Sequence, residues 1–142
     1  NGPNLNLLGI REPDIYGQTS LETIDYKLKA EARIEGVEME SFQSNSEGEL
    51  VTAIQKARDK FDVIIINPAA YTHTSVALRD ALAAVNIPAI EVHLSDPRGR
   101  EPFRQVSLLA GVVRGHIAGF GALSYSLAFR AAIELVKSSS GK

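Results

Sequence analysis

The sequence contains no cysteine, no tryptophan and a single methionine. Without cysteine there is neither a disulfide framework nor a thiolate nucleophile. No apolar run approaches the roughly 20 residues that span a bilayer, and no secretory signal is visible. The expectation is a soluble, cytoplasmic protein. Charge of one sign is not in excess, since 15 Lys and Arg face 17 Asp and Glu for a formal charge of -2. With no long basic run, nucleic acid is not the expected main partner. Several chemical signatures are also missing. There is no Gly-x-x-x-x-Gly-Lys-Ser/Thr phosphate loop. Gly111, Gly115, Gly119 and Gly121 do not supply the Gly-x-Gly-x-x-Gly spacing of a dinucleotide site. The three histidines lack metal-site spacing, and no Gly-x-Ser-x-Gly nucleophile is present.

What is there reads as one globular domain over residues 1–142, 44% hydrophobic and 23% charged. Helix and strand patterns alternate. Thr19-x-x-Glu22 reads as a capping box. Behind it Leu21, Ile24, Leu28 and Ala32 share a helical face, with Gly36 as the stop. A short strand is expected at 37–42. Ser46-x-x-Glu49 is a second capping box, ahead of Leu50, Ile54 and Ala57 on one face. The near-continuous apolar run 61–66 suits a strand covered on both sides. A helix at 75–85, a strand at 88–94, a polar loop at 95–102, a strand at 115–121 and a helix at 124–137 follow. In the last helix Leu127, Ala131 and Leu135 recur every fourth residue. The tail from Ser138 onward is expected to fray.

The chain opens on Asn1-Gly-Pro-Asn4, which is turn chemistry. A turn needs a strand to turn from, so a first strand is expected upstream, truncated here. With it restored, the pattern is five βα units. That implies an α/β fold with a doubly wound parallel sheet, and the flavodoxin-like order 2-1-3-4-5. Ligands then bind beyond the carboxyl ends of the strands, at the switch point between the first and third.

Most of the unusual polar residues fall there. The loop after the expected first strand carries Asn4, Asn6, Arg11 and Tyr16; the next relevant loop carries Asn67 and His73. The strand 88–94 carries Glu91 and His93, and Ser95, Arg98, Arg100 and Arg104 follow. A tyrosine beside an arginine can act as a phenolate base. Glu91 and His93, two apart on a strand, share one face. A carboxylate beside an imidazole orients it and favours the protonated form that a general acid needs. His73 stands at a helix mouth that Thr72, Thr74 or Ser75 can cap. His116 reads as structural, and Asp80 as an exposed helix charge or a group reaching a neighbouring subunit. The arginines suit a carboxylate-bearing substrate, and the Pro and Gly around them suit a loop that closes. The chemistry indicated is cofactor-free acid–base work on a small polar anion. A non-catalytic flavodoxin-like binding module, for flavin or as a receiver, is the competing reading. A receiver needs an acidic cluster where Asn4 and Asn6 stand.

Asn1-Gly-Pro-Asn-Leu-Asn-Leu-Leu-Gly9, Arg11-Glu-Pro13, Tyr16-Gly17, Thr72-His-Thr-Ser-Val-Ala-Leu-Arg-Asp80, Glu91-Val-His93 and Arg100-Glu-Pro-Phe-Arg104 together resemble type II 3-dehydroquinate dehydratases. The resemblance runs nearly end to end. It implies a flavodoxin-like fold, a homo-oligomer that is usually a dodecamer of four trimers, and no metal or cofactor. It also implies dehydration of 3-dehydroquinate to 3-dehydroshikimate, in the shikimate pathway or in quinate breakdown. Carried over by motif, Tyr16 is the base and Arg11 keeps it ionised. Asn4 helps hold the enolate oxygen, and His93, oriented by Glu91, is the acid. Asn67 with the backbone N–H groups of Leu94 and Ser95 takes the substrate carboxylate. His73, Arg104 and Asp80 hold ring hydroxyls, Asp80 from an adjacent subunit, and Arg100 lies on the closing loop. Asp96 stands where the family commonly has asparagine.

Overall fold

A computed structural model describes residues 1–10, 14 and 19–140. Arg11 and Tyr16 therefore lie outside the described residues, as do the last two positions of the tail. Three parallel strands, β1 (Ile64–Ile66), β2 (Ala89–His93) and β3 (Gly115–Ala118), lie side by side in chain order. Ile65 pairs with Ile90, and Glu91 with His116. Among the described residues there are four helices: α1 (Leu21–Glu35) and α2 (Glu47–Ala57) precede β1, α3 (Val76–Val85) lies between β1 and β2, and α4 (Leu123–Ser140) follows β3. The three strands are the third, fourth and fifth of the expected order, each shorter than expected from its apolar run.

The segment 37–42, expected as a strand, does not pair into the sheet. A strand needs a neighbour that accepts and donates along its length. Here, among the described residues, the rungs beside it come from the first residues of the chain. The Asn1 amine donates to the carbonyl of Phe42 at 3.1 Å, and the amide of Ser44 to the carbonyl of Asn1 at 3.1 Å. On the other side Gly2 donates to the carbonyl of Asn67 at 2.8 Å. Asn1 and Gly2 thus stand between the 42–44 segment and the end of β1, where the expected order puts its first strand.

Local chemistry sets the helix ends. The first cap is Ser20 rather than Thr19: its hydroxyl accepts from the amide of Thr23 at 3.2 Å. Gly36 ends α1 at φ 71°, a left-handed conformation that costs glycine least. Ser46 caps α2 as expected, accepting from Glu49 at 3.2 Å. The reciprocal half of that box is diverted, because the Glu49 carboxylate accepts from Ser44 instead. Ser75 alone caps α3, accepting from Leu78 at 2.9 Å, while Thr72 donates to the carbonyl of Ala69. Helix α4 continues to Ser140, past the expected end, and Ser138 donates back to the carbonyl of Glu134 at 2.8 Å.

The sheet divides two cores. On one side Ile90, Val92 and Leu94 pack with Ile24 and Leu28 of α1 and with Tyr125, Ala128, Phe129, Ala132 and Ile133 of α4. On the other, Ala89 and Ile66 pack with Leu50 and Ile54 of α2, Leu78 and Leu82 of α3, and Leu109. The spacing expected on α4 is met in part: Ala131 and Leu135 pack, half-buried, against the first of these cores. Leu127 is exposed, while Ala128 and Phe129 face the sheet. A spacing of four drifts around a 3.6-residue helix, and small residues such as Ala128 allow close approach that a Leu-based reading overlooks.

Candidate active site

The site forms where β1 and β2 end. After β1 the chain leaves through Asn67 and Pro68 into a 3-10 turn, Ala69–His73, before α3 begins. After β2 it passes Leu94 and Ser95 into the Arg-bearing loop. The N-terminal loop, with Asn4 at φ 68° and a 3-10 turn at Leu5–Leu7, closes the third side. One cleft is lined by Asn4, Asn67, His73, His93, Leu94, Ser95, Arg100 and Arg104, with Pro3, Leu5, Leu8, Ala69, Ala70 and Pro97 as apolar wall. Eight residues singled out from the sequence therefore meet in one place. Among the described residues the lining holds two arginines and two histidines and no Asp or Glu, so it favours an anion.

Close backbone packing fixes this geometry. A Cβ on Gly2 would stand 2.4 Å from the carbonyl oxygen of Pro68. That residue lies immediately after Asn67, and its carbonyl cannot rotate away as a flexible side chain would. Gly2→Ala should therefore cost about 1–3 kcal/mol as an overpacking substitution. It should also raise KM for the ligand by displacing Asn67. Denaturant unfolding and steady-state kinetics on the variant check both. Unchanged stability and KM would show that the loop yields freely.

The two histidines are set in different ways. A carbonyl only accepts, so His73 Nδ1 donates to the carbonyl of Val106, at 2.8 Å. When the ring is neutral, its Nε2 is then an acceptor, suited to a hydroxyl. His93 is buried, and its Nε2 lies 2.6 Å from Oε2 of Glu91, itself buried. Burial alone would push the Glu91 carboxyl up. Hydrogen bonds from His93 and Ser107, with the nearby positive charge of His93 and His116, outweigh it and hold the group below the usual carboxylate range. Glu91 therefore remains a carboxylate, His93 Nε2 carries a proton, and Nδ1 is the atom able to exchange one with a ligand. Glu91 itself lies behind His93, outside the cleft lining.

Asn67 is buried. Its carbonyl oxygen accepts from the amide of Ala69 at 3.1 Å, and its amide donates to Tyr125 Oη at 3.0 Å. Tyr125 in turn donates to Oδ1 of Asn1 at 2.8 Å. The second amide hydrogen of Asn67 can serve a ligand oxygen. Arg104 makes an ion pair with Glu101 and lies over the ring of Phe103, 4.9 Å from its centre. Arg98 is turned away into a pair with Asp96 at 3.1 Å. Asp80 is exposed on α3 and does not reach the cleft of its own chain. His116 is exposed at the start of β3 rather than buried in the fold.

Three supporting residues carried no signal in the sequence. Ser107 donates to Oε1 of Glu91 at 2.7 Å. Tyr125 reaches Asn67 across 58 positions. The side-chain oxygen of Asn45 accepts from the amide of Asn4 at 3.0 Å, and its carbonyl from Tyr71 Oη at 2.7 Å. No periodicity or motif marks contacts made only when distant loops meet.

Comparison with known proteins fits this geometry. The family model described as "Dehydroquinase class II" matches residues 1–133. A 3-dehydroquinate dehydratase of Prochlorococcus marinus is 60% identical over 97% of this chain and 93% of its own length. One from Methylococcus capsulatus is 54% identical over 95% of this chain and 92% of its own. The crystal structure of the type II dehydroquinase from Butyrivibrio crossotus superposes with a TM-score of 0.89 at 44% identity, covering 96% of this chain and 93% of that one. The fold is thus the flavodoxin-like one expected from the alternating pattern. By sequence along most of its length and by the path of its backbone, the chain belongs to the class II dehydroquinase family.

Proposed function

We propose that this protein is a 3-dehydroquinate dehydratase that removes water from 3-dehydroquinate to form 3-dehydroshikimate through an enolate. The observation that carries the reading is the Glu91–His93 pair at the wall of a cleft whose described lining holds two arginines and no carboxylate. Such a cleft attracts a small carboxylic acid, and such a pair presents a proton where a hydroxyl must leave.

In this reading Tyr16 takes the proton beside the C3 ketone, and Arg11 favours its phenolate. The electron pair moves onto the ketone oxygen, and Asn4 helps hold the enolate formed there. The enolate then collapses as His93 protonates the departing C1 hydroxyl, which leaves as water. Asn67 and the amides of Leu94 and Ser95 hold the substrate carboxylate. His73 Nε2 accepts from a ring hydroxyl, a role that suits the tautomer set by Val106. Arg104 holds the ring alongside it, and Arg100 closes over the cleft. Asp80 completes the site of a neighbouring subunit, since it does not reach its own; this fits a homo-oligomer of trimers, with twelve chains in all. A small water-soluble substrate fits a cytoplasmic enzyme, and among the described residues no helix is long and apolar enough to cross a membrane.

The test follows the ultraviolet absorbance of the conjugated enone as 3-dehydroquinate is added, with a chelator present. Turnover should persist under chelation and fall about 10²–10⁴-fold in Tyr16→Phe, the usual contribution of a general base. A folded protein with no turnover would overturn the assignment.

A further inference from the structure

The segment Val106–Ser107–Leu108 touches His73 and the Glu91 partner of His93, yet none of the family motifs quoted above includes it. Its backbone is pinned on each side of Ser107. Val106 accepts from His73, the amide of Leu108 donates to the carbonyl of Thr72 at 2.9 Å, and Arg79 donates to the carbonyl of Leu108 at 2.6 Å. Between these anchors the Ser107 hydroxyl sits in a defined polarity. Its oxygen accepts from the amide of Leu109 at 3.1 Å, so its one proton is directed to Oε1 of Glu91. The other carboxylate oxygen is taken by His93.

We propose that Ser107 is a positioning residue for the dehydration. By occupying Oε1 it holds the Glu91 carboxylate in the plane and rotamer in which Oε2 meets Nε2 of His93, leaving Nδ1 toward the cleft. The inference rests on His93 serving as the acid. A buried carboxylate with only one partner would be free to turn or to take up a proton, and either change releases His93. The charged and titratable groups around Glu91 are His93 on its own strand, His116 and Arg114 at β3, and Asp96, Arg98 and Arg104 from the loops. None of these reaches Oε1 at hydrogen-bond distance, so the serine has no substitute among them.

The test compares Ser107→Thr with Ser107→Val, two side chains of nearly equal shape that differ in the hydroxyl. Ser107→Ala provides a smaller variant should the valine disturb folding. The threonine variant should retain most of kcat. The hydroxyl-free variants should lose about ten- to a hundred-fold in kcat, with KM changed little because the carboxylate and ring contacts are intact. Without the serine, one of the hydrogen bonds that hold the Glu91 carboxyl low is lost, so its pKa rises. The acid limb of the kcat profile, where protonation of Glu91 releases His93, should therefore move to higher pH. The imidazole 15N and Nε2–H resonances of His93 should shift in the same variants and return with threonine. Equal kcat, pH limb and His93 resonances in the threonine and hydroxyl-free proteins would overturn the role of Ser107. Absence of turnover in the unsubstituted protein would instead overturn the dehydratase reading, and the His93 resonances would still decide whether Ser107 sets that ring.

Discussion

His93→Gln should lower kcat for 3-dehydroquinate by about 10²–10⁴-fold, the range of a general acid, while KM stays within a few-fold. Glutamine is the informative replacement. Its amide can still donate to Glu91, so the buried carboxylate keeps a partner and the fold is spared the cost of an unpaired charge. What glutamine lacks is a proton it can give away. The two halves of the reaction should then separate. Removal of the proton beside the ketone does not involve His93, so exchange of that hydrogen with deuterated solvent should continue while water loss stalls. Steady-state kinetics and exchange followed by NMR check both. A variant whose kcat falls by less than ten-fold would remove His93 from the role of acid.

Leu78→Ala should cost about 2–5 kcal/mol of stability, the range for emptying a leucine site in a packed core. Leu78 is 0% exposed and packs among Leu50, Leu82 and Leu109. A typical domain is stable by only about 5–15 kcal/mol, so the substitution removes a large share. Chemical denaturation should show a lower midpoint with an unchanged slope, and Tm should drop on the order of 10 °C. The site should respond as well. The Leu78 amide donates to the Ser75 cap, and Leu109 adjoins the Ser107 segment, so the void opens beneath the residues that seat His73 and Glu91. A rise in KM should accompany the loss in Tm. A midpoint within error of the parent would mean that the space collapses without penalty.

The contrast between these two residues shows what could be read in the chain. Glu91 and His93 are two apart on a strand, and period two alone puts them on one face. Ser75 before an apolar helix, Gly36 after one, and the alternation of apolar strands with amphipathic helices are likewise local. Each depends on dihedral preference or side-chain period within a few residues; the structure contains the cap, the stop and the shared face, and of the alternating strands it forms the third to fifth. The gathering of Asn67, His73, His93 and the arginines followed from one further rule, that a parallel sheet places its loops at the carboxyl ends of its strands.

Other features depended on partners far along the chain. The segment 37–42 has strand composition, yet pairing is a property of two segments, and among the described residues its backbone is met by Asn1 rather than by a strand. The exposed face of α4 was chosen by the fit of Ala128 and Phe129 against the sheet, not by leucine spacing. That Ser107 closes on Glu91, that Tyr125 holds Asn67, and that Asp80 stays out of its own cleft followed from packing. Sequence by itself determined most of the helices, the third to fifth strands, several of the helix caps and stops, and the identity of the acid pair, because these rest on short-range stereochemistry. The tertiary structure alone decided which ring nitrogen of each histidine is held and which is left for a ligand. That choice belongs to the hydrogen bonds that His73 donates to Val106 and His93 to Glu91, the latter oriented by Ser107; the Val106 and Ser107 contacts exist only once the loops have met.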